Sequence, residues 1–450
     1  MKLKRSQKLM LVLIVLAVIL AVTAAAVAFS GAGTSTRPLF TGSARLAGPE
    51  PDIEAALEDE AHSAWENIPR IHKLFQPFWS HSSRLILSGH KGENRVYSPV
   101  NLTVALAMTA EITGGETREQ IEKAVGASLE DLRESSRQLW VLNAYSGSGG
   151  ETELANSLWL NNSIEYKQKT LDILADSYFA ESFRGDPGTA GYDALLREWT
   201  SEKTHDLLGT GGLNMDPETV LELMSTVYFY SCWSKRFPED CTSTRLFHSP
   251  EGGIECEFMD NTSRGIINHF YRAPLFTAAS LGLSDGSSMT FILPREDSSI
   301  DQVLSEDSSL WEFFRWIVSR RDEGSSPWGD ESLARINFIV PKFDVSFQSE
   351  LSETLTDLGI TDAFDPRKSN FDPLTLNNIP IYISRINHAA RVMIDENGCT
   401  AASYVEAGFA GAGDPPRPEA EIDFILDRPF IFLIQSQNSF PLFIGLVNHP

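Results

Sequence analysis

Three kinds of hydrophobic pattern run along this chain, and most of its elements can be read from them. The first has no period. After Lys2, Lys4, Arg5 and Lys8, residues 9–29 carry no charge, and such a run is long enough to cross a hydrocarbon core of about 30 Å. The second is helical. Ile71, Leu74, Phe75, Phe78 and Leu85 recur at helical spacing and predict a helix over 68–87 that Pro77 should kink or shorten. Ser98-Pro99 is a strong helix start, and the apolar residues 100–112 behind it predict a buried helix. Further helices are expected over 117–125, 167–179, 192–208 and 349–358, the last ended by Gly359. The third pattern is extended. Strands are predicted over 154–160, 220–230, 289–293, 336–340, 389–394 and 429–434, with 220–230 apolar on both faces and therefore central. Residues 146–150 read as a flexible loop.

The stretch 395–413, between two of these strands, is unusual for a loop. Cys399, Ala401, Ser403, Val405, Ala407, Phe409 and Gly411 form one parity, small or apolar. Thr400, Ala402, Tyr404, Glu406, Gly408 and Ala410 form the other, with the only charge. In a strand these sets face opposite sides. The segment is patterned for burial although it lies in a connection.

Composition narrows the function classes. The 450 residues are 42% hydrophobic, ordinary for a globular chain. A formal charge of −24 repels phosphate backbones and argues against nucleic-acid binding. Four cysteines are too few for a disulfide framework; a Cys232–Cys241 bridge is open, and Cys232 and Cys256 read as small buried residues. No phosphate-binding loop, Cys-x-x-Cys or His-Glu-x-x-His pattern is present, and neither enzyme chemistry, a cofactor nor a metal is expected. The basic start and charge-free run leave two readings. One is a signal peptide cut after Ala26-Val27-Ala28; the other is an uncut signal anchor. Either one exports the rest of the chain, secreted or held on the membrane by one N-terminal helix. Residues 30–67 read as a linker: 30–52, rich in small and polar residues, as a tether, and the acidic stretch 50–60 as the start of a helix.

Several pieces, taken in order, resemble the serpins. The hinge Asp395-Glu396-Asn397-Gly398 with the small residues after it, and the closing stretch 427–448, look like the hinge and C-terminal signature of that family. Stretches 94–108, 114–126, 155–160 and 228–237, and Val340-Pro341-Lys342-Phe343, fall in the serpin order. The resemblance covers about residues 68–450 and implies an α+β fold: a large central β-sheet with smaller sheets, a helical shell and an exposed reactive loop. It implies a monomeric, non-enzymatic serine protease inhibitor whose partner is a protease held covalently. The short basic start and acidic composition suggest the bacterial type. A non-inhibitory serpin acting as a binding or chaperone-like module is the alternative.

In inhibitory serpins the protease attacks one bond in the loop, and the freed loop enters the main sheet as a new strand, dragging the acyl-enzyme with it. The hinge must therefore be small, and the loop must alternate and be long enough; ~14 residues at ~3.3 Å each carry the protease ~46 Å. The resemblance places the hinge at Glu396, Gly398, Cys399, Thr400, Ala401, Ala402 and Ser403, with Gly398 supplying backbone freedom and Cys399 standing where the family has Thr. Family spacing puts the scissile bond at Ala412-Gly413, which suits an elastase-like or subtilisin-like pocket. The gate that lets the sheet open maps to Ser98, Asn101, Ser225 and His388, with Trp233 at the entry. Asn101 and Ser225 stand exchanged relative to the family, as a compensated swap.

Overall fold

A computed structural model of the chain describes residues 44–47, 53–89, 92–147, 149–209, 212–263, 265–318, 331–376, 381–383, 386–399, 418 and 420–450. With strands numbered in chain order, the central sheet contains β1 (Ala44–Ala47), β3 (Tyr145–Gly147), β4 (Gly150–Asn161), β5 (Ala180–Gly185), β6 (Leu221–Cys232), β13 (Phe343–Glu350), β14 (Asn387–Ile394) and β15 (Gly398–Cys399). Its order is β1-β5-β4-β6-β15-β14-β13, with β3 paired to β4. A second sheet contains β2 (Arg95–Tyr97), β7 (Ser243–Ser249), β8 (Gly252–Asp260), β9 (Ile266–Arg272), β10 (Phe276–Gly282), β11 (Ser288–Pro294), β12 (Glu331–Pro341), β16 (Ala420–Ile425), β17 (Phe430–Gln435) and β18 (Pro441–Val447). The fold is α+β. β17 and β18 are buried at every position, which is why they read as unbroken apolar runs.

The helix Pro99–Ile112 joins the layers. Every residue of it is buried, and it packs against β6 of the first sheet and β18 of the second. Its start follows the expected chemistry: the Ser98 side chain accepts the Asn101 N–H at 3.1 Å and Pro99 opens the helix. The helix Ile68–Leu87 runs through Pro77 without a break.

Several boundaries differ from the sequence reading. The helix expected over 192–208 is Ala190–Lys203, because His205 and Asp206 take left-handed φ values of 49° and 60° and turn the chain away. Residues 349–350 end strand β13, so the next helix is only Ser352–Asp357. The loop expected at 146–150 is a tight hairpin, Tyr145–Gly147 pairing back onto Gly150–Thr152. The Ser128-capped helix Leu129–Asn143 was not among the expected helices, although its buried Leu132, Leu139 and Leu142 recur at helical spacing. The linker expected over 30–67 contains the strand β1, paired with β5, and the helix Ile53–Glu66, which begins within the acidic stretch 50–60. Arg137 grips Glu60 with two bonds of 2.8 and 2.9 Å, so that helix is tied on by an ion pair that a hydropathy pattern cannot register. Cys232, Cys241 and Cys256 are free and half-buried.

Candidate functional site

The site is the seam in the central sheet between β6 and β14. These strands run parallel to each other, and β15 lies between their ends, antiparallel to both: Gly398 is opposite Cys232, Cys399 opposite Ser231, and Cys399 opposite Ile394. Among the described residues no ladder joins β6 to β14 directly.

A tight turn feeds β15. Asp395 Oδ1 accepts the N–H groups of Asn397 and Gly398 at 2.8 and 3.1 Å, and the Asp395 N–H donates to Gly398 O at 3.0 Å. Trp233, fully buried at the end of β6, clamps that turn: its indole N–H donates to Asp395 O at 2.8 Å and its backbone N–H to Asn397 O at 2.9 Å. Glu396 is anchored beside it by Lys342 at 2.8 Å and by the Thr242 hydroxyl at 2.6 Å. Burial alone would raise the Glu396 pKa, but the hydrogen bonds from Lys342 and Thr242 outweigh it and hold the carboxyl below its usual range. Gly398 does not have a positive φ. It is constrained by space instead: a Cβ there would press on the Ser231 carbonyl oxygen and sit 2.6 Å from Cys232 Cα. The sequence reading assigned it backbone freedom; what β15 requires is the missing side chain. Cys399 is 1% exposed, on the inward parity.

Further along the seam, Ser98, Asn101, Ser225 and His388 come together. Asn101 Nδ2 donates to Ser225 O at 3.0 Å, and the Ser225 hydroxyl also bonds Asn101 Oδ1. That hydroxyl is 2.6 Å from Asn156 Oδ1 as well, and it has one proton to give. Asn156, on β4, was not singled out from sequence; its amide donates to Tyr178 O at 2.9 Å and ties the cluster to the helix Gln168–Tyr178. Ser98 donates its N–H to His388 Nε2 at 3.4 Å, so the imidazole proton is on Nδ1. His388 is 5% exposed, and desolvation lowers its pKa to about 4, keeping the ring neutral.

The outer face of the seam is crossed by a strap. The helix Ala190–Lys203 packs on the sheet through Tyr192, Leu196 and Trp199, against Trp159 and Met224. Just beyond it, the His205 ring stacks on Tyr228 of β6 with centroids 4.1 Å apart. Two residues later, Arg391 of β14 donates to Leu207 O at 3.0 Å while pairing with Asp344 at 2.6 Å. The chain thus bridges β6 and β14.

Of the hinge residues named from sequence, Glu396, Gly398 and Cys399 are in place at the seam. Thr400, Ala401, Ala402, Ser403 and the bond Ala412-Gly413 lie outside the described residues. Lys342, Thr242, Asn156 and Arg391 were missed as partners. Lys342 and Asn156 carried a signal, since they sit in the matched pieces Val340-Pro341-Lys342-Phe343 and 155–160; Thr242 and Arg391 did not.

Comparison with known proteins agrees with this geometry. The profile of the Serpin family, described as serine protease inhibitor, matches residues 82–450. Serpin-ZXA of Oryza sativa subsp. japonica is 28% identical over 382 residues, covering 81% of this chain and 92% of the relative. Plasminogen activator inhibitor 1 of Sus scrofa is 24% identical over 384 residues, covering 82% and 89% respectively. Among solved structures, the thermophilic serpin tengpin in its native state superposes with a TM-score of 0.71 at 25% identity, covering 85% of this chain and 94% of that one.

Proposed function

The chain belongs to the serpin family, and on that premise we propose that it is an inhibitory serpin that traps serine proteases by inserting its loop between β6 and β14. The observation that carries this reading is β15, two residues already antiparallel to both flanking strands. In the inserted state we propose, the same register would set Ala401 between Phe229 and Val392, Ser403 between Val227 and Ala390, and Val405 between Ser225 and His388. All six partners are buried, which matches the small and apolar parity of the loop.

The chemistry is the protease's own. Its serine Oγ attacks the Ala412 carbonyl carbon, the C–N bond to Gly413 breaks, and the Gly413 amine leaves with a proton from the protease's general acid. An ester to Ala412 remains. Insertion then carries that ester along the sheet before water can cleave it. The inhibitor contributes refolding energy rather than catalytic groups. Ala412 fits small primary pockets, so the proposed targets are elastase-like or subtilisin-like.

The charge-free run 9–29 after a basic start supports an exported, bacterial-type protein, free or anchored, with 30–43 of the expected tether preceding the first described strand. Protease shaving of intact cells is expected to remove the folded part; full protection until lysis would contradict export. For the inhibitor reading, the full chain is incubated with pancreatic elastase and with subtilisin. A denaturant-stable complex and a released C-terminal peptide beginning at Gly413, identified by mass spectrometry, are expected. Cleavage of the loop with the protease left fully active would contradict it and favour a binding module.

A further inference from the structure

The strap brings together a set of donors that the sequence keeps far apart. Glu151 and Glu153 are two residues apart on β4 and so project from one face, opposite Tyr230 and Tyr228 of β6. His205 reaches the same place from the turn after the helix Ala190–Lys203, with its ring held flat against Tyr228. One donor atom from each of Glu151, Glu153 and His205 lies within 4.8 Å of the others. His205 Nε2 is 3.4 Å from Glu153 Oε2. Donors around a four-coordinate divalent ion, at bond lengths of about 2.0–2.2 Å, stand roughly 3.5 Å apart. His205 Nε2 and Glu153 Oε2 already stand at that spacing, so the remaining adjustment is a small turn of the glutamate carboxylates while the His205 ring keeps its stack on Tyr228.

We infer that Glu151, Glu153 and His205 form a binding site for a divalent transition-metal ion, with zinc the best match, in which the ion fastens the strap to β4 beside the seam. The donor set selects the metal class. Carboxylates alone suit calcium or magnesium, but an imidazole nitrogen favours zinc and its first-row neighbours. Three protein donors leave one position for water. The place already attracts a cation: Lys203 Nζ lies 3.0 Å from Glu153 Oε1 and 3.8 Å from Glu202 Oε1. An entering ion displaces that ammonium toward Glu202. The sequence carries no metal motif because His205 lies far along the chain from the glutamates, with a strand and two helices between them. The site does not depend on the inhibitor reading.

The test is zinc binding to the full reduced chain, followed by calorimetry, with cobalt as a spectroscopic probe. One equivalent is expected that gives no thiolate charge-transfer band in the cobalt spectrum, which separates it from the free cysteines. Glu153→Gln and His205→Gln should each weaken that equivalent by more than about tenfold. Lys203→Met should tighten it, because it removes the competing cation, and the cobalt spectrum of this variant should still lack the thiolate band, which excludes exposed cysteines as the source of the gain. Unchanged zinc affinity in His205→Gln, or no tightening in Lys203→Met, would overturn the assignment.

Discussion

Replacing Gly398 with Ala tests whether β15 must lie tightly against β6. The new methyl would meet the Ser231 carbonyl oxygen and approach Cys232 Cα to 2.6 Å, where ordinary carbon contacts begin at 3.4 Å. Both neighbours are backbone and cannot rotate away, so β15 must move off β6 by about 1 Å, enough to break hydrogen bonds that fail beyond roughly 3.5 Å. The Trp233 N–H to Asn397 O bond and the ladder to Ser231 and Cys232 are the ones at risk. Losing two or three net bonds at about 0.5–1.5 kcal/mol each costs on the order of 3 kcal/mol. In the intact chain the two-residue β15 relieves the clash by moving off β6, but a fully inserted strand must hold Gly398 in this register, so the penalty falls on insertion and slows entry of the loop. A barrier increase of this size is roughly a hundredfold in rate, which lets deacylation win. The assay is the stoichiometry of inhibition against elastase, with gel analysis of complex and cleaved product. Gly398→Ala should shift nearly all flux to cleaved inhibitor and active protease. Wild-type stoichiometry in this variant would refute the packing argument.

Three further outcomes are expected. Ala401→Arg would bring an unpaired charge between Phe229 and Val392, at a cost of several kcal/mol; loop cleavage should continue while the covalent complex disappears on gels, and retained complex would mean that this segment stays out of the sheet. His388 has a folded-state pKa of about 4 against 6.5 unfolded, so the unfolded chain binds the extra proton more readily between those values. Its contribution is intact above pH 6.5 and is lost as pH falls toward 4, by at most ~3 kcal/mol; His388→Gln should flatten that part of the melting-temperature profile, and an unchanged profile would exclude His388 as its source. Ser225→Ala removes the hydroxyl shared by Asn101 and Asn156, leaving buried carbonyl oxygens without a donor, and should lower stability by about 1–3 kcal/mol in urea unfolding; a shift under a few tenths would mean that the cluster relaxes.

What the sequence revealed of this site depends on which interactions are periodic. The apolar faces of β6, β14 and the helix Pro99–Ile112 could be read directly, because burial repeats along the chain. The residues around His388 and Trp233 were reached through the family resemblance, not through period or motif. Partners supplied by distant segments had no signature: Arg137 with Glu60 and Arg391 with Leu207 O are single contacts between remote positions. Gly398 was recognised, but for the wrong physical reason. Glycine's two uses, positive φ and absent volume, look identical in a sequence, and only the Ser231 and Cys232 backbone distinguishes them.

The central claim is that the loop is a strand held out of its sheet, and thermal unfolding before and after limited elastase cleavage near Ala412 tests it most directly. Insertion would bury Val405 at the Ser225–His388 position and Phe409 beyond it, worth roughly 1.5–3 kcal/mol each, and would add backbone hydrogen bonds on both sides at roughly 0.5–1.5 kcal/mol apiece. Ordering the segment opposes this by about 1–2 kcal/mol per residue, and Gly408, Gly411 and Gly413 reduce the gain. The account predicts that the cleaved protein melts at a higher temperature than the intact one. A cleaved form that melts at the same temperature or lower would contradict it.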